Sequence, residues 1–465
     1  MPRIDSTIRG LLKAVTRPAR TARAITSSFT YPVGQTPREK VWRLNKCVLY
    51  RYKPVRPAAE RHPVPLLLVF AAINRPFLFD MRPGFSFIEF MLEQGFDVYL
   101  FDWGEFGPED GDMTLDDYGA EYVPRAVRRV LRDSGAKEVS VLGYCMGAII
   151  VLLYAALNID GPMRNMILLT TPLDMSEREG SKFVTWLDKR WFDVDKVTGG
   201  LDGVLPTMAI ENGGKMLKVA ANYVGAYVNL WDRIDNPESV ANWQAMHRWV
   251  HDGVPLPAGA FRQWVRDYLW DNALVSGKHT VKGQRVDLGK ITVPTLNILA
   301  KYDHIVPVAQ SMAVGELLGS KDITTEVLNA GHIGIMAGRK SKGELWPKLA
   351  AWLGERSGLD ARNAHSGARA EPVKRAARKK TADKTASSKK SIAREKATDQ
   401  KVPPKKTTAP NKATDQKVPP KKTTARKEAT DQKAPRKKSA VKKKVARKTT
   451  ATKKKASRKK ASRKK

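Results

Sequence analysis

Two patterns of hydrophobic and polar residues alternate in the first 360 positions of the chain. Short, mostly apolar runs of about four to eight residues are typical of strands buried on both faces of a parallel sheet. The longer segments between them carry apolar residues at helical spacing, which predicts helices with one buried side. This alternation predicts an α/β fold, in which helices cover both faces of a mostly parallel sheet. The predicted strands are 65–70, 96–101, 139–142, 166–170, 293–300 and 324–328.

One long insertion, at about residues 174–288, breaks this rhythm and contains no run that is typical of a strand. The segment is rich in tryptophan, tyrosine and phenylalanine. We interpret it as a helical cap above the sheet, which would exclude water and shape a tunnel for an acyl chain. A subunit interface and ordinary core packing within the insertion are the alternative interpretations of its aromatic residues.

The N-terminal end differs from the central body, which we place at residues 35–356. Residues 1–34 form a basic segment in which apolar residues recur at helical spacing from Ile4 to Val15. A basic amphipathic helix can lie on an anionic or lipid surface. The alternative is a helix that packs on the domain or frays.

The positive charge of the chain is concentrated at its C-terminal end. The net charge is +36, and residues 361–465 hold 39 Lys and Arg against seven Asp and Glu, a net charge of +32. Residues 357–465 contain no aromatic Phe, Trp or Tyr and repeat a Lys/Ala/Pro-rich unit of 16 residues, so we predict a disordered tail. Such a tail would bind DNA by neutralising phosphates, without reading bases. The alternative is a solubilising tail, or one that contacts acidic partners in general.

Three observations argue against other classes of protein. The N-terminal residues lack the apolar stretch of a secretory signal. No uncharged apolar run reaches the roughly 18 residues of a membrane-spanning helix, so no transmembrane segment is expected. The two cysteines, Cys47 and Cys145, provide no disulfide framework, and a reducing cytoplasm fits them.

The candidate chemistry centres on the pentapeptide Gly143-Tyr144-Cys145-Met146-Gly147. It lies between a predicted strand and a predicted helix, as a nucleophile elbow does, with cysteine where serine is usual. The sharp turn leaves almost no room for side chains two residues before and after the nucleophile, which explains the glycines. The turn would also place the thiol at a helix N-terminus, where the helix dipole favours the thiolate. The alternative is a chance match around a buried core thiol.

Two further candidates, Asp303 and His332, follow the last two predicted strands. Residues that follow parallel strands converge at one edge of the sheet, where ligands bind. The chain order of nucleophile, acid and histidine is that of the α/β-hydrolases. His332 would take the proton of Cys145, and Asp303 would hold the imidazole tautomer. The alternatives are a turn-forming Asp303, a structural His332, and His304 as the base.

An oxyanion formed in this chemistry needs amide donors. The Met146 N–H follows the nucleophile, and an amide at Ile73 or Asn74 lies in the loop where hydrolase-type folds place a second donor. No metal is expected, because the histidines of the insertion lack the spacing of metal ligands. They are His247, His251 and His279.

A cysteine nucleophile favours acyl transfer over simple hydrolysis. A serine ester formed from a thioester loses much of the reactivity of the acyl group, whereas a cysteine thioester keeps it. The acyl group can then pass to another acceptor, which suits a coenzyme A thioester as the donor. Cysteine hydrolases on this fold remain an alternative.

Four motifs of the chain resemble those of the polyhydroxyalkanoate synthases, which belong to the α/β-hydrolase superfamily. The resemblance covers about residues 35–355, and the short N-terminal region resembles the class III catalytic subunit. It implies polymerisation of (R)-3-hydroxyacyl-CoA with release of CoA. Cys145 would carry the growing chain with His332 as base, and Asp303 would either orient His332 or activate the incoming 3-hydroxyl. The motifs are residues 143–148, 101–104 with 115–118, 302–307 and 331–334.

The same resemblance implies partners and a location. The CoA thioester is the substrate and no cofactor is expected. The partners would be the polymer granule, further copies of the chain and a second synthase subunit, at the granule surface in the cytoplasm. The basic tail departs from the family pattern and is similar to histone-H1-like tails of some granule-associated proteins, which adds DNA and the nucleoid. The alternatives are a cysteine-type hydrolase or thioesterase, and a granule-to-nucleoid tether with an inactive enzyme domain.

Overall fold

The computed structural model of the chain describes residues 2–217 and 224–358, and only the backbone of residues 2–14. All these residues belong to one compact unit. The predicted disordered tail, residues 357–465, lies outside the described residues except for its first two positions.

An eight-stranded sheet forms the centre of the described chain. Its spatial order is β1-β2-β4-β3-β5-β6-β7-β8. The first two strands are antiparallel to their neighbours, and all the other pairs are parallel. The predicted α/β class, with a mostly parallel sheet, is confirmed. The strands are β1 Arg38–Leu44, β2 Cys47–Tyr52, β3 Leu66–Val69, β4 Val98–Asp102, β5 Val139–Tyr144, β6 Met163–Leu169, β7 Thr295–Ala300 and β8 Ile323–Leu328.

The antiparallel strands β1 and β2 are absent from the sequence prediction. β1 lies at the edge of the sheet, and its mixture of charged and apolar residues differs from the wholly apolar runs of the central strands. A two-residue turn at Asn45 and Lys46 connects it to β2, and Asn45 has the positive φ of 51° that such turns use. The signal for this hairpin was therefore a turn-forming residue rather than an apolar run.

Helices on both faces of the sheet and in the cap complete the fold. The Thr114 amide and hydroxyl both donate to the Asp117 carboxylate, at 2.8 and 2.9 Å, which starts the helical segment predicted at this point. The α-helices are α1 Pro2–Ser28, α2 Phe87–Glu93, α3 Val123–Ser134, α4 Met146–Leu157, α5 Lys182–Trp186, α6 Val194–Gly199, α7 Thr207–Met216, α8 Ala226–Asp232, α9 Pro237–Val250, α10 Ala258–Gln263, α11 Val308–Leu317, α12 Gly334–Ala337 and α13 Trp346–Arg356, with a single turn at Leu115–Asp117 and π-helical turns at Tyr118–Tyr122, Trp264–Trp270 and Ser341–Leu345.

The insertion at residues 174–288, hereafter the cap, contains α5 to α10 and two pairs of two-residue strands. The C-terminal half of α1 packs on it: Ala24 joins Leu230 and Ile234 in a small buried cluster. Ser28 Oγ lies 2.8 Å from Nδ1 of His247 in α9. Of the three interpretations of the N-terminal segment, the described part of α1 thus follows the one in which the helix packs on the domain.

No helix in residues 2–217 and 224–358 combines the length and the apolar character needed to cross a lipid bilayer.

Candidate active site

Cys145 occupies the sharp turn between β5 and α4. Its backbone has φ 54° and ψ −121°, a conformation that L-residues with a side chain rarely adopt. A Cβ added to Gly143 would lie 2.6 Å from the Ala148 Cα atom, and one added to Gly147 would lie 2.4 Å from the Val69 carbonyl oxygen. Both collisions are with backbone, so the turn requires glycine at both positions.

The surroundings of the two cysteines differ sharply. Cys145 is half-buried and directly precedes the first residue of α4, where the helix dipole favours a negative charge. Cys47 in β2 is fully buried, and burial raises the pKa of its thiol far above the ordinary value. Of the two, only Cys145 has the exposure and the electrostatic setting of a nucleophile.

Asp303 and His332 meet at the carboxyl edge of the sheet. Nδ1 of His332 lies 2.6 Å from Oδ2 of Asp303, whose side chain has no exposed surface. The other carboxylate oxygen, Oδ1, accepts hydrogen bonds from the Ile305 and Val306 amides at 2.8 and 2.9 Å. The carboxylate is therefore held at both oxygens, and Nε2 is the ring nitrogen of His332 left for another group.

The electrostatics of this edge favour an imidazolium. Burial of His332 opposes its protonation, but the negative charges of Asp303 and Cys145 outweigh burial and raise the pKa of His332 to about 10. A positively charged histidine beside a cysteine stabilises the thiolate form of that cysteine. The three predicted residues are thus electrostatically connected.

Tyr144 supports His332 and was not recognised from the sequence. Its hydroxyl donates a hydrogen bond to the backbone carbonyl oxygen of His332 at 2.8 Å. Its ring stacks on Phe70, with centroids 5.1 Å apart and planes 7° apart. Tyr144 occupies a variable position of the elbow pattern, so the pattern alone gave no reason to single it out.

Trp103 is a second supporting residue, and its motif was noted in the sequence without a role. Its buried indole N–H donates to the Phe70 carbonyl oxygen at 2.9 Å. Phe70 follows β3, and its backbone lies within 3 Å of the position that a Cβ on Gly147 would occupy. Trp103 therefore fixes the end of β3 against the elbow.

The candidate oxyanion donors lie around the same turn. Met146 is the first residue of α4, and the first amides of a helix have no carbonyl partner within that helix. Ile73 lines the same cavity as Met146. Asn74 forms a bridge with Gly253 of the cap, and the Ile73 carbonyl accepts the Val254 amide at 3.3 Å. The loop after β3 is thus tied to the cap at both candidate positions.

An apolar cavity of about 300 Å³ lies beside Cys145. Most of its wall comes from the cap, and the loop after β7 closes another side with Ile305 and Val306. Its size falls at the lower end of the range for small-molecule sites, which fits an acyl chain better than a complete CoA molecule. Representative cap residues in the wall are Phe183, Leu205, Ile210, Phe261 and Trp264.

The other histidines of the cap have structural partners. His279 Nε2 lies 2.8 Å from Oδ1 of Asp116, and the Tyr268 hydroxyl is 3.2 Å from the same ring nitrogen. His251 Nδ1 lies 2.8 Å from the carbonyl oxygen of His247, and burial lowers the pKa of His247 to about 4. In the described part of the chain, no group of three or more His, Cys, Asp or Glu is arranged to hold a metal ion.

Similarity to known proteins identifies the family to which this chain belongs. A family model described as the alpha/beta hydrolase fold matches residues 80–339, which include Cys145, Asp303 and His332. The poly(3-hydroxyalkanoate) polymerase subunit PhaC of Haloferax mediterranei is 35% identical over 327 residues, covering 70% of this chain and 65% of that protein. The protein of the same name from Allochromatium vinosum is 36% identical over 323 residues, covering 70% of this chain and 90% of that protein. The chain belongs to the poly(3-hydroxyalkanoate) polymerase family.

Membership of the polymerase family confirms the predicted family and its class of enzyme, the acyltransferases. The chain spans just under two thirds of the length of the Haloferax polymerase subunit. Among solved structures, a monoacylglycerol lipase from Paleococcus ferrophilus is 20% identical, with a TM-score of 0.41, covering 66% of this chain and 98% of the lipase.

Proposed function

We propose that this member of the polymerase family converts (R)-3-hydroxyacyl-CoA into poly(3-hydroxyalkanoate) and releases CoA, with Cys145 as the covalent carrier. One observation carries the proposal. A cysteine at a strained elbow faces the buried His332–Asp303 pair and lies against an apolar cavity. The named activity of the relatives supports the same conclusion.

The first half of the reaction loads the cysteine. His332 takes the thiol proton of Cys145, and the thiolate attacks the thioester carbonyl carbon. The Met146 amide and an amide at Ile73 or Asn74 stabilise the oxyanion. The intermediate then collapses, the bond to the CoA sulfur breaks, and His332 returns the proton to the leaving CoA.

The second half forms the polymer bond. The 3-hydroxyl of the acceptor gives its proton to His332 and attacks the acyl carbon held on Cys145. An ester bond forms, the acyl–sulfur bond breaks, and the proton restores the Cys145 thiol. The thioester keeps the acyl group activated until the hydroxyl arrives, which explains cysteine in place of serine.

Asp303 serves in this proposal as the residue that orients His332. Both of its oxygens already accept hydrogen bonds, and its side chain has no exposed surface. With both oxygens engaged and no exposed surface, this carboxylate is poorly placed to take the proton of a substrate hydroxyl. Of the two roles considered for Asp303, the contacts therefore favour orientation.

We propose the remaining partners from the names of the relatives and from the charge of the chain. Because the relatives are named as subunits, the chain would act beside a second subunit and further copies of itself, at the surface of the polymer granule in the cytoplasm. Residues 361–465, with a net charge of +32, would bind DNA and bring the granule to the nucleoid. Removing them should weaken DNA binding and flatten its dependence on salt concentration, as a gel-shift series would measure.

The proposal is tested by following the fate of labelled (R)-3-hydroxybutyryl-CoA. We expect CoA release, polymer that grows with time, and label attached to the peptide that contains Cys145. Cys145→Ala should abolish all three, a loss of at least about 10⁴-fold in CoA release. Cys47→Ala is the matched control, because it removes the other thiol and should leave the labelling intact.

Two results would contradict the proposal. Free 3-hydroxybutyrate without polymer would make the chain a thioesterase. Substantial CoA release by Cys145→Ala would remove the covalent carrier from the mechanism. Repeating the assay with acyl chains from C4 to C10, with and without a candidate second subunit, would define the substrate range.

A further inference from the structure

A groove lined by arginines lies outside the active site and has no role in the proposed reaction. Its volume is about 180 Å³, and its wall consists of Trp42 from β1 and four arginines of α3. The arginines occupy positions i, i+3, i+4 and i+7 of the helix, so all four lie on one face. They are Arg125, Arg128, Arg129 and Arg132.

Packing in the core accounts for the residues on one side of α3 but not for the arginines on the other side. Its buried residues, including Val127 and Val130, face the sheet. Like charges at i+3 and i+4 spacing destabilise a helix, and the opposite face of α3 contains four such pairs. A helix face that is only solvated can carry charges of both signs. The uniformly positive charge of this face therefore requires a separate cause.

Neighbouring carboxylates compensate the charge of the groove only in part. Arg125 lies 3.9 Å from Glu121, whose other oxygen is bound by Lys282. Arg129 lies 3.8 Å from Asp133. That carboxylate already accepts the Tyr99 hydroxyl at 2.9 Å and is paired with Arg51 at 3.3 Å.

Several polar groups of the groove lack a partner within the described part of the chain. Among the described residues, Arg128 and Arg132 form no ion pair with a carboxylate. The Nε atom of Arg129 is buried and has no hydrogen-bond partner within the described chain. A buried donor without a partner is unfavourable unless a water or a ligand supplies the acceptor.

We propose that this groove binds the phosphate backbone of a nucleic acid. Guanidinium groups match phosphate oxygens in geometry and charge, which favours a phosphate-bearing ligand. The seven-residue span of the arginines covers about 10 Å along the helix, longer than one phosphate group. Trp42 adds an aromatic surface that can pack against a sugar of the backbone. The same chain carries residues 361–465 with a net charge of +32, and this charge favours a polyanion as its ligand.

The groove is independent of the polymerisation chemistry. None of its residues belongs to the elbow, the His332–Asp303 pair or the apolar cavity. Failure of the proposed polymerase activity would therefore leave this inference untouched, and the reverse also holds.

The test is arginine footprinting of the full chain with phenylglyoxal, read by mass spectrometry. A 30-base-pair DNA duplex should protect Arg128 and Arg132 at least about threefold. Arg164 and Arg339, which are exposed elsewhere on the domain, serve as internal controls and should change little. Inorganic phosphate at the same total phosphate concentration and phosphatidylglycerol vesicles are the comparison ligands.

A salt series on variants completes the test. The slope of log K against log salt concentration is negative, and the double variant Arg128→Gln/Arg132→Gln should reduce its magnitude by about two. Arg164→Gln/Arg339→Gln removes the same charge and should reduce that magnitude by less than about 0.5. CoA release should stay at the wild-type rate in both.

Four outcomes would overturn the inference. They are equal protection of the control arginines by DNA, protection by vesicles but not by DNA, equal protection by free phosphate, and an unchanged salt slope in the groove variant. An unchanged slope with strong binding by the full chain would assign all the binding to residues outside the groove.

Discussion

The elbow at the sheet edge and the cap above it differ in how tightly they constrain their residues. At the elbow, a methyl group on Gly147 would lie 2.4 Å from the Val69 carbonyl oxygen. In cap helix α7, a methyl group on Gly213 or Gly214 would meet nothing within 4 Å. The elbow therefore excludes a side chain at this position, whereas α7 leaves room for one at Gly213 and Gly214.

The two regions also differ in how far their side chains are buried. Asp303 has both oxygens in hydrogen bonds and no exposed side-chain surface. Cap residues such as Trp191 and Met208 expose 59% and 71% of their surface although they are apolar. The difference teaches that the groups proposed to make and break bonds are held by burial and hydrogen bonds, whereas these two cap side chains are not held by burial.

Among the substitutions that test this contrast, Asp303→Asn should have the largest effect. The amide removes the charge that holds the His332 tautomer, so we expect kcat/KM for CoA release to fall by about 10²–10⁴-fold. Steady-state kinetics measure it, and Asp160→Asn, at an exposed aspartate, is the control. A rapid burst of one CoA per site with blocked elongation would instead assign Asp303 to the substrate hydroxyl.

Gly147→Ala against Gly214→Ala tests the contrast directly. The elbow substitution should lower the free energy of unfolding by about 2–3 kcal/mol, because the methyl group collides with backbone. The cap substitution should raise it by about 0.5–1 kcal/mol, because alanine favours the helix and meets open space. Urea unfolding measures both, and equal effects would refute the difference in rigidity.

The pH dependence of stability tests the charge of His332, which lies beside the elbow. The pKa of His332 is about 10 in the fold and 6.5 without its partners, so the imidazolium stabilises the fold fully below about pH 6.5. This contribution is lost as the pH rises towards 10. Wild type should therefore lose at least about 1.4 kcal/mol of its unfolding free energy relative to His332→Gln between pH 6.5 and 10. A pH-independent difference would contradict the charged histidine.

The smallest effect is expected from the cap. Ile210→Ala enlarges the cavity where its wall is only partly buried, so it should raise kcat/KM for a C8 acyl-CoA relative to a C4 acyl-CoA by about 3–10-fold. Ile159→Ala makes the same change at an exposed site and should leave the ratio unchanged. A ratio that stays fixed in both variants would remove the cap from substrate selection.

Several elements of the fold could be predicted because their signals are local. The central strands are short apolar runs, and Thr114 with Asp117 forms a recognisable helix start. The hairpin β1–β2 was missed, because an edge strand with mixed charges lacks such a run. Tyr144 and Trp103 were also missed as supports of the site, because each binds a backbone carbonyl that is distant in sequence.

The sequence by itself determined the order of the candidate groups and the glycines around Cys145, since backbone collisions at a sharp turn are a local property. It also determined the division of charge between residues 1–360 and 361–465, since charge is a property of composition. Only the tertiary structure decided that both oxygens of Asp303 accept hydrogen bonds and that four arginines of α3 share a groove with Trp42. Those facts depend on contacts between segments far apart in the chain, and such contacts exist only after the sheet has brought the segments together.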